Sequence, residues 1–212
     1  MAIITSRSEL QFFIQADRIM NGLPLKISMA NKLSWLLSKS WWGVKINYLE
    51  CLRCYSYYKQ ARGFVNRIMR LYYGRKFRRL SLKLGYSIGE DVFGYGLVLP
   101  HYGTVVVGGT NRVGNFATIH TLTCIADCHS VIGDNLDLAT GTVISKQVRV
   151  GDSVSSCANS SITDDIPSNS LVAGSPAKIV RMDYPSWHVR DGELFMKRVM
   201  IVEQLKQRLI PQ

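Results

Sequence analysis

An aliphatic side chain recurs at every sixth residue through the second half of this 212-residue chain. The count begins at Val113 and ends at Ile162, with one extra residue inserted between Ile125 and Ile132. Eight of the nine positions are Ile, Leu or Val, the full set being Val113, Ile119, Ile125, Ile132, Leu138, Ile144, Val150, Ser156 and Ile162. A β-sandwich would alternate with a period of two, so a period of six predicts another β architecture.

The residue that follows each aliphatic position is small in nearly every repeat, as in Gly114, Gly133 and Gly151. A small residue lets the backbone turn tightly beside an inward-pointing aliphatic side chain. Repeats that bury their apolar face only by stacking on neighbours form a solenoid. We therefore predict a mainly β protein built as a parallel β-helix with three flat faces in each coil. A bulge or small loop absorbs the extra residue before Ile132.

The chain preceding the repeats has the spacing of helices. An amphipathic pattern begins at Ser8 and stops at Asn21-Gly22, and a long helical pattern runs from about Ile46 to Leu82. Another helix is expected at about 192–209, where it can pack back on the solenoid. We divide the chain into a helical, basic segment (1–84), a β-helix domain (85–182) and a C-terminal helical extension (183–212).

Charge is distributed unevenly between these parts. Residues 1–85 contain sixteen Lys and Arg against three acids, whereas residues 86–212 contain ten against twelve. A basic segment indicates an anionic neighbour, such as lipid headgroups, a charged glycan or cofactor phosphates. Nucleic acid is not expected, because no recognised nucleic-acid motif is present. No apolar run reaches about 18 residues and the N-terminus lacks signal-peptide order, so we expect a cytoplasmic protein with peripheral contact to the inner face of the membrane.

The five cysteines do not indicate a disulfide framework. Cys51 and Cys54 form a CxxC within a helical pattern that has no second pair, which favours packing residues over a redox or metal site. Cys124, Cys128 and His129 suggest a zinc site, but a fourth ligand is not evident. We expect no metal.

The segment around His101 contains a glycine pair, an apolar run and a histidine, in the order Gly94-Tyr-Gly-Leu-Val-Leu-Pro-His101-Tyr-Gly. This order resembles the serine-acetyltransferase-type hexapeptide-repeat acyltransferases, and so do Ile132-Gly-Asp-Asn and the segment 173–181. Residues 9–18 are similar to shorter members found among capsule and O-antigen genes. The resemblance covers nearly the whole chain and implies a left-handed parallel β-helix with a helical N-terminal segment and a short C-terminal helix.

The resemblance also implies a homotrimer that binds acetyl-CoA in a groove between neighbouring prisms, with His101 facing that groove. His101 would act as general base on the acceptor hydroxyl, a task suited to an unperturbed pKa of about 6.5. Backbone N–H groups would stabilise the oxyanion. We expect His129, His120 and Tyr102 to contact the acceptor.

Four further residues are candidates for binding the donor. The small side chains of Ala139 and Ala158 would let pantetheine approach the backbone. Lys178 and Arg181 could meet the adenosine phosphates.

The chain departs from the family pattern in its acids. Counting back from His101 puts Tyr86 and Ile88 where the family has the acid that orients the catalytic imidazole, and Pro100 replaces a substrate-binding acid. Cys128 stands where the family has an arginine before its second histidine. Glu90 and Asp91 are candidates to replace the missing acid, although a solvated turn is the simpler interpretation for both.

Loss of these charged groups argues against free serine as the acceptor. We therefore expect a sugar hydroxyl of a surface polysaccharide, capsule or O-antigen, or of its precursor. The alternatives are a serine O-acetyltransferase of cysteine biosynthesis and a non-catalytic hexapeptide-repeat scaffold.

Overall fold

The computed structural model describes residues 3–23 and 41–210, in which helices precede a β-helix. Helix α1 (Arg7–Met20) begins with a capping box, because the Ser6 hydroxyl accepts a hydrogen bond from the Glu9 amide and the Glu9 carboxylate accepts one from the Ser6 amide. Asn21 ends this helix as predicted, whereas its start lies slightly before Ser8. Residues 24–40 of the predicted helical segment lie outside the described residues.

The long helical pattern is divided into α2 (Trp41–Gln60) and α3 (Phe64–Leu84), which pack against each other. The chain breaks at Gly63, whose φ of 108° is a conformation that L-residues rarely adopt. Gly85 ends α3 in the left-handed conformation. Among residues 3–23 and 41–210, no helix combines the length and apolarity that crossing a bilayer requires.

The CxxC lies in α2 as predicted, with both cysteines buried. Burial raises the pKa of the Cys51 thiol to about 11 and that of Cys54 to about 12. Both thiols therefore stay protonated at neutral pH and act as packing groups.

Thirteen short strands follow, and most of them pair in parallel around a three-sided column. They are β1 (Tyr86–Ile88), β2 (Val105–Val107), β3 (Arg112–Val113), β4 (Thr118–Ile119), β5 (Thr123–Ile125), β6 (Val131–Ile132), β7 (Asp137–Leu138), β8 (Val143–Ile144), β9 (Arg149–Val150), β10 (Ser155–Ser156), β11 (Ser161–Ile162), β12 (Leu171–Gly174) and β13 (Ala177–Arg181). Face A has the order β1-β2-β5-β8-β11, face B β3-β6-β9 and face C β13-β12-β10-β7-β4. The predicted parallel β-helix is confirmed.

The six-residue rhythm supplies the core of this column. All nine repeat positions are buried, with exposures of 5% or less. The extra residue lies between faces A and B, where seven steps separate Ile125 from Ile132 and six separate Ile144 from Val150. The glycines that follow the face B positions are also explained, since a Cβ on Gly114 would clash with Asp134 on the next coil and one on Gly133 would clash with Asp152.

The C-terminus covers part of the column. β12 and β13 pair antiparallel, and α4 (Trp187–Arg190) and α5 (Glu193–Leu209) follow. The Trp187 indole N–H donates to the carbonyl of Phe116 at 2.8 Å, and Val202 of α5 packs in one cluster with Phe12 of α1. The predicted C-terminal helix is confirmed.

A buried ion pair joins the helices to the first coil. Arg53 of α2 contacts Asp17 of α1 at 2.8 Å, and both side chains are at most 2% exposed. The same guanidinium donates to the carbonyls of Phe93 and Gly94, while Asp17 accepts from the amide of Leu97 at 2.9 Å. These bonds fix the first coil, which leads directly to His101, against both helices.

Candidate functional site

His101 lies in an enlarged corner between faces C and A. Seven steps separate Val98 from Val105, whereas five separate their partners Thr118 and Thr123 on the next coil. The two additional residues cannot lie flat on the column, so the corner projects outward and His101 is exposed. No described residue hydrogen-bonds its imidazole.

Two side chains and one ring contact hold this corner. The Tyr86 hydroxyl donates to the backbone carbonyl of His101 at 2.5 Å, and Lys45 Nζ donates to the carbonyl of Leu99 at 3.0 Å. The Tyr102 ring lies 5.6 Å from that of Trp41, edge to face. The corner is therefore fixed through its backbone while the imidazole stays free to meet a ligand.

The structure provides no carboxylate partner for this imidazole among the described residues. Tyr86, one of the two residues that the resemblance puts at the position of the orienting acid, bonds the backbone of His101 and not its ring. Glu90 and Asp91 instead pair with Lys59 at 2.7 and 3.0 Å, and Asp91 also accepts from Ser56. Neither acid is available to replace the family carboxylate.

The edge of the column between faces C and A continues below His101. We call it the C–A edge (residues 99–104, 120–122, 139–142 and 157–160). Backbone bonds connect its successive levels: Leu122 N–H to Thr104 O at 2.6 Å, Gly141 N–H to Thr121 O at 3.1 Å and Asn159 N–H to Thr140 O at 2.9 Å. His120 and Ala139 thus lie at equivalent positions of successive coils on this edge, and Ala158 lies on the coil after them. The predicted roles of these residues remain predictions.

His120 also contacts a charged group. Its Nε2 lies 4.0 Å from Asp137 Oδ1, and the other oxygen of Asp137 accepts from Arg190 at 2.6 Å. Burial raises the pKa of Asp137, and Arg190 opposes the shift. No sequence pattern indicates this contact, because Arg190 lies far beyond the repeats.

His129 lies on a different edge, between faces A and B, in the turn that holds the extra residue. Within one chain it is not brought to the C–A edge, and only an adjacent copy could bring it there. Cys128 Sγ approaches the Lys146 carbonyl at 3.0 Å. The residues that the structure describes contain no group of three His, Cys, Asp or Glu placed to hold a metal ion.

Lys178 and Arg181 lie on β13, at the end of face C remote from β4. Lys178 is exposed beside Asp164 at 3.7 Å, and the Arg181 guanidinium lies 5.6 Å from the Tyr184 ring centre. Five strand spacings separate the Val98 level from β13, which is about 24 Å at about 4.8 Å per spacing. Only an extended ligand could reach from the corner that contains His101 to Lys178 and Arg181 on β13.

Comparison with known proteins connects this architecture to one group of enzymes. No family model matches the chain. Serine acetyltransferase 2 of Arabidopsis thaliana is 33% identical over 123 residues, 51% of this chain and 38% of the relative. The serine acetyltransferase of Staphylococcus aureus (strain Mu50) is 30% identical over 142 residues, 62% of each chain, and that of Staphylococcus xylosus is 31% identical over 143 residues, 63% of this chain and 62% of the relative. The chain thus spans from under half to about three fifths of these relatives.

Solved structures show the same fold. A serine acetyltransferase from Neisseria gonorrhoeae matches with a TM-score of 0.58 at 23% identity, over 82% of this chain and 68% of the other. A serine acetyltransferase in complex with CoA matches with a TM-score of 0.52 at 18% identity, over 82% and 69%. The chain therefore has the fold of these hexapeptide-repeat proteins and resembles serine acetyltransferases in sequence.

The comparisons correct the expected acceptor. The relatives and structural neighbours are serine acetyltransferases, so the expectations of a capsule or O-antigen sugar hydroxyl and of a role in polysaccharide biosynthesis are wrong. Pro100 and Cys128 lack the charge that the resemblance leads one to expect at these two positions. Substitutions at two positions do not exclude charged groups that arrive from other elements.

Proposed function

We propose that this chain is an acetyl-CoA-dependent O-acetyltransferase whose acceptor is the hydroxyl of serine. The proposal depends on the projecting His101 corner at the head of an edge lined by Ala139 and Ala158, in the fold of a serine acetyltransferase described in complex with CoA. The names of the relatives, all serine acetyltransferases, support serine as the acceptor.

In the proposed reaction, His101 accepts the proton of the serine hydroxyl while its oxygen attacks the thioester carbonyl. The new C–O bond makes the acetyl ester, the C–S bond breaks, and the departing CoA sulfur takes the proton from the imidazolium. The structure suits this exchange, because the imidazole is exposed and makes no hydrogen bond to a described residue. Lys178 and Arg181 are proposed to meet the phosphates of the donor.

The test is release of free CoA thiol from acetyl-CoA, followed colorimetrically with serine, with threonine and with no acceptor. We expect serine-dependent release, and about 10²-fold or greater loss in His101→Ala. The matched control is His188→Ala, because His188 lies in α4 beyond the repeats. Absence of release with any acceptor, for wild type and His101→Ala alike, would favour the non-catalytic scaffold. Serine-dependent release that is equal in the two proteins would show that His101 is not the base.

We also propose that the chain forms a homotrimer through face A. The outward row of this face contains Val106, Cys124 and Val143, and the adjoining Leu122 is 60% exposed. Face C is partly covered by α4, because Arg190 bonds Asp137 and Ser155 on its outer side. An uncovered apolar row of this kind is typical of an interface.

Light scattering after size exclusion tests the trimer. We expect three times the 23.9 kDa of one chain, and a smaller species for Val106→Glu with Val143→Glu. Lys197→Glu, on exposed α5, is the control and should leave the mass unchanged. A wild-type monomer would refute the assembly.

The outer surface of α3 supports a further proposal, peripheral contact with an anionic lipid surface. This helix contains seven Lys and Arg and no acid, yet Phe64 is 78% exposed and Leu82 is 86% exposed. Ile68 and Leu71 lie between the basic residues on the same side. Exposed apolar residues flanked by cations are typical of interfacial helices.

Sedimentation of the full chain with vesicles tests this contact. We expect binding to phosphatidylcholine vesicles that contain phosphatidylserine but not to pure phosphatidylcholine, and loss of binding in Arg75→Glu with Arg79→Glu. Lys197→Glu with Arg208→Glu makes the same charge change on α5 and should bind like the wild type. Equal loss in both variants would show attraction by net charge alone and refute a specific surface on α3.

A further inference from the structure

A cavity of about 300 Å³ lies beside the His101 corner, between the outer side of face C and the surrounding helices. Its walls come from α1, α2, the first two coils, α4 and α5. Pro100, the residue before His101, lines it together with His120. Its volume is at the lower end of the range for small-molecule sites, about 300–1,000 Å³. A ligand in it would therefore contact the corner that contains the proposed catalytic base.

A buried cation forms part of the wall. Lys45 is 1% exposed, its ammonium lies 3.9 Å from the Trp42 ring centre, and it donates to the carbonyl of Leu99. An ammonium has three N–H donors, and no described carboxylate pairs with this one. Burial lowers the pKa of Lys45 to about 8, so it remains largely charged at neutral pH. A buried cation with free donors is costly unless an anion meets it.

Two neutral groups in the same wall also lack partners among the described residues. Thr118 Oγ1 and Asn21 Oδ1 make no hydrogen bond to a described residue, and each of the two residues is only 6% exposed. More than about 90% of buried polar groups have a partner in native structures. Both atoms lie behind the surface of the cavity wall, where a water-sized probe does not reach them.

The remaining charges give the cavity both signs. Arg198 lines it and donates to the carbonyl of Met20 at 3.1 Å, which leaves other guanidinium N–H groups for a ligand. Asp191 lines the cavity as well and is itself paired with Arg190 at 3.0 Å. Val98, Trp187 and Phe195 form the apolar part of the wall. Two cations and one carboxylate around a small space match a small zwitterion.

We propose that this cavity recognises the charged end of the acceptor amino acid, with Lys45 and Arg198 binding its α-carboxylate and Asp191 its ammonium. The inference rests on the proposed acetyl transfer to serine and names the residues that select it. It also explains how the chain recognises an amino acid although Pro100 and Cys128 replace the family's charged residues. Lys45 is a specificity-determining residue on α2, distant in sequence from the repeats.

The test compares Lys45→Met with wild type, using serine and its neutral amide, serinamide, as acceptors. Loss of one charge-assisted bond should raise the KM for serine by about 10- to 100-fold. Any fall in kcat that follows from the lost bond to the Leu99 carbonyl should be the same for both acceptors. The KM for serinamide should change by less than about 3-fold, because serinamide has no carboxylate to lose. Lys59→Met is the matched control on the same helix, and it should leave both KM values unchanged because Lys59 pairs with Glu90 and Asp91 at the surface.

Calorimetric titration of serine without acetyl-CoA separates this inference from the proposed function. Serine binding by the wild type that weakens in Lys45→Met supports the proposed contact between Lys45 and the α-carboxylate, even if no acetyl transfer occurs. If Lys45→Met leaves the turnover of serine unchanged, the proposed contact between Lys45 and the α-carboxylate is wrong, while the proposed enzymatic activity stands. Equal effects on serine and serinamide would also overturn it, since they would indicate altered packing. If Lys45→Met does not fold, Arg198→Met gives the same comparison through the second cation proposed to bind the α-carboxylate.

Discussion

The Tyr86 hydroxyl donates a 2.5 Å hydrogen bond to the backbone carbonyl of His101, across fifteen residues of chain. Burial raises the pKa of Tyr86, so the hydroxyl remains a donor across the physiological range. Tyr86 thus fixes the corner and makes no bond to the imidazole ring. The bond orients His101 through its backbone.

Removing that bond should therefore reduce turnover more than binding. We expect Tyr86→Phe to lower kcat by about 10-fold and to destabilise the fold by about 1–3 kcal/mol, because a carbonyl loses its partner. Steady-state kinetics and urea denaturation measure the two effects. Tyr72→Phe, whose side chain is exposed on α3, should change neither quantity. Unchanged kcat in Tyr86→Phe would show that the bond does not position His101.

A bulky side chain on the C–A edge should obstruct the donor. Ala158 is exposed on this edge, and its neighbour Asn159 bonds to Thr140 on the previous coil. We expect Ala158→Trp to raise the KM for acetyl-CoA by about 10-fold or more, with thermal stability unchanged. Gln147→Trp, at an exposed position between faces A and B, is the control. Equal KM values for the two variants would place the donor elsewhere.

Breaking the Asp17–Arg53 pair should unfold the junction between the helices and the column. Loss of one partner leaves a buried charge, so we expect Asp17→Asn or Arg53→Met to cost about 3–5 kcal/mol of unfolding free energy. Lys59→Met removes a surface pair and should cost about 0.5 kcal/mol. Chemical denaturation measures these differences. Similar losses for the buried and surface pairs would show that the buried network is not a main contributor.

The stability of the unliganded protein should depend on pH through Lys45. Its pKa is lowered to about 8 in the folded state and is about 10.4 in the unfolded chain, so the unfolded state binds the proton more tightly. The resulting cost is fully present below pH 8 and disappears as pH rises through the unfolded pKa. Stability of Lys45→Met relative to wild type should therefore fall by about 2–3 kcal/mol between pH 7 and pH 10.5.

Denaturation of both proteins across this range measures the change. His120, Asp191 and Arg198 line the same cavity and are present in both proteins, so the comparison isolates the effect of replacing Lys45. A difference that is constant with pH would mean that Lys45 is not desolvated.

The sequence by itself determined the column. A period of six with a small residue beside each aliphatic one is a local property, and each coil contacts only its neighbours, so the pattern alone specifies the stack. The sequence also predicts the turn that holds the extra residue before Ile132 and the end of the first helix at Asn21, because bulges and caps are encoded within a few residues.

Only the tertiary structure decided what surrounds His101. Lys45, Tyr86, Asp137 and Arg190 come from separate elements, and their contacts depend on how helices pack against coils, which no local period records. The sequence therefore located the proposed base but led to the wrong acceptor. It shows that charged residues are absent at Pro100 and Cys128, but not which charged residues from other elements pack nearby. The charges that line the cavity beside Pro100 are brought together by packing alone.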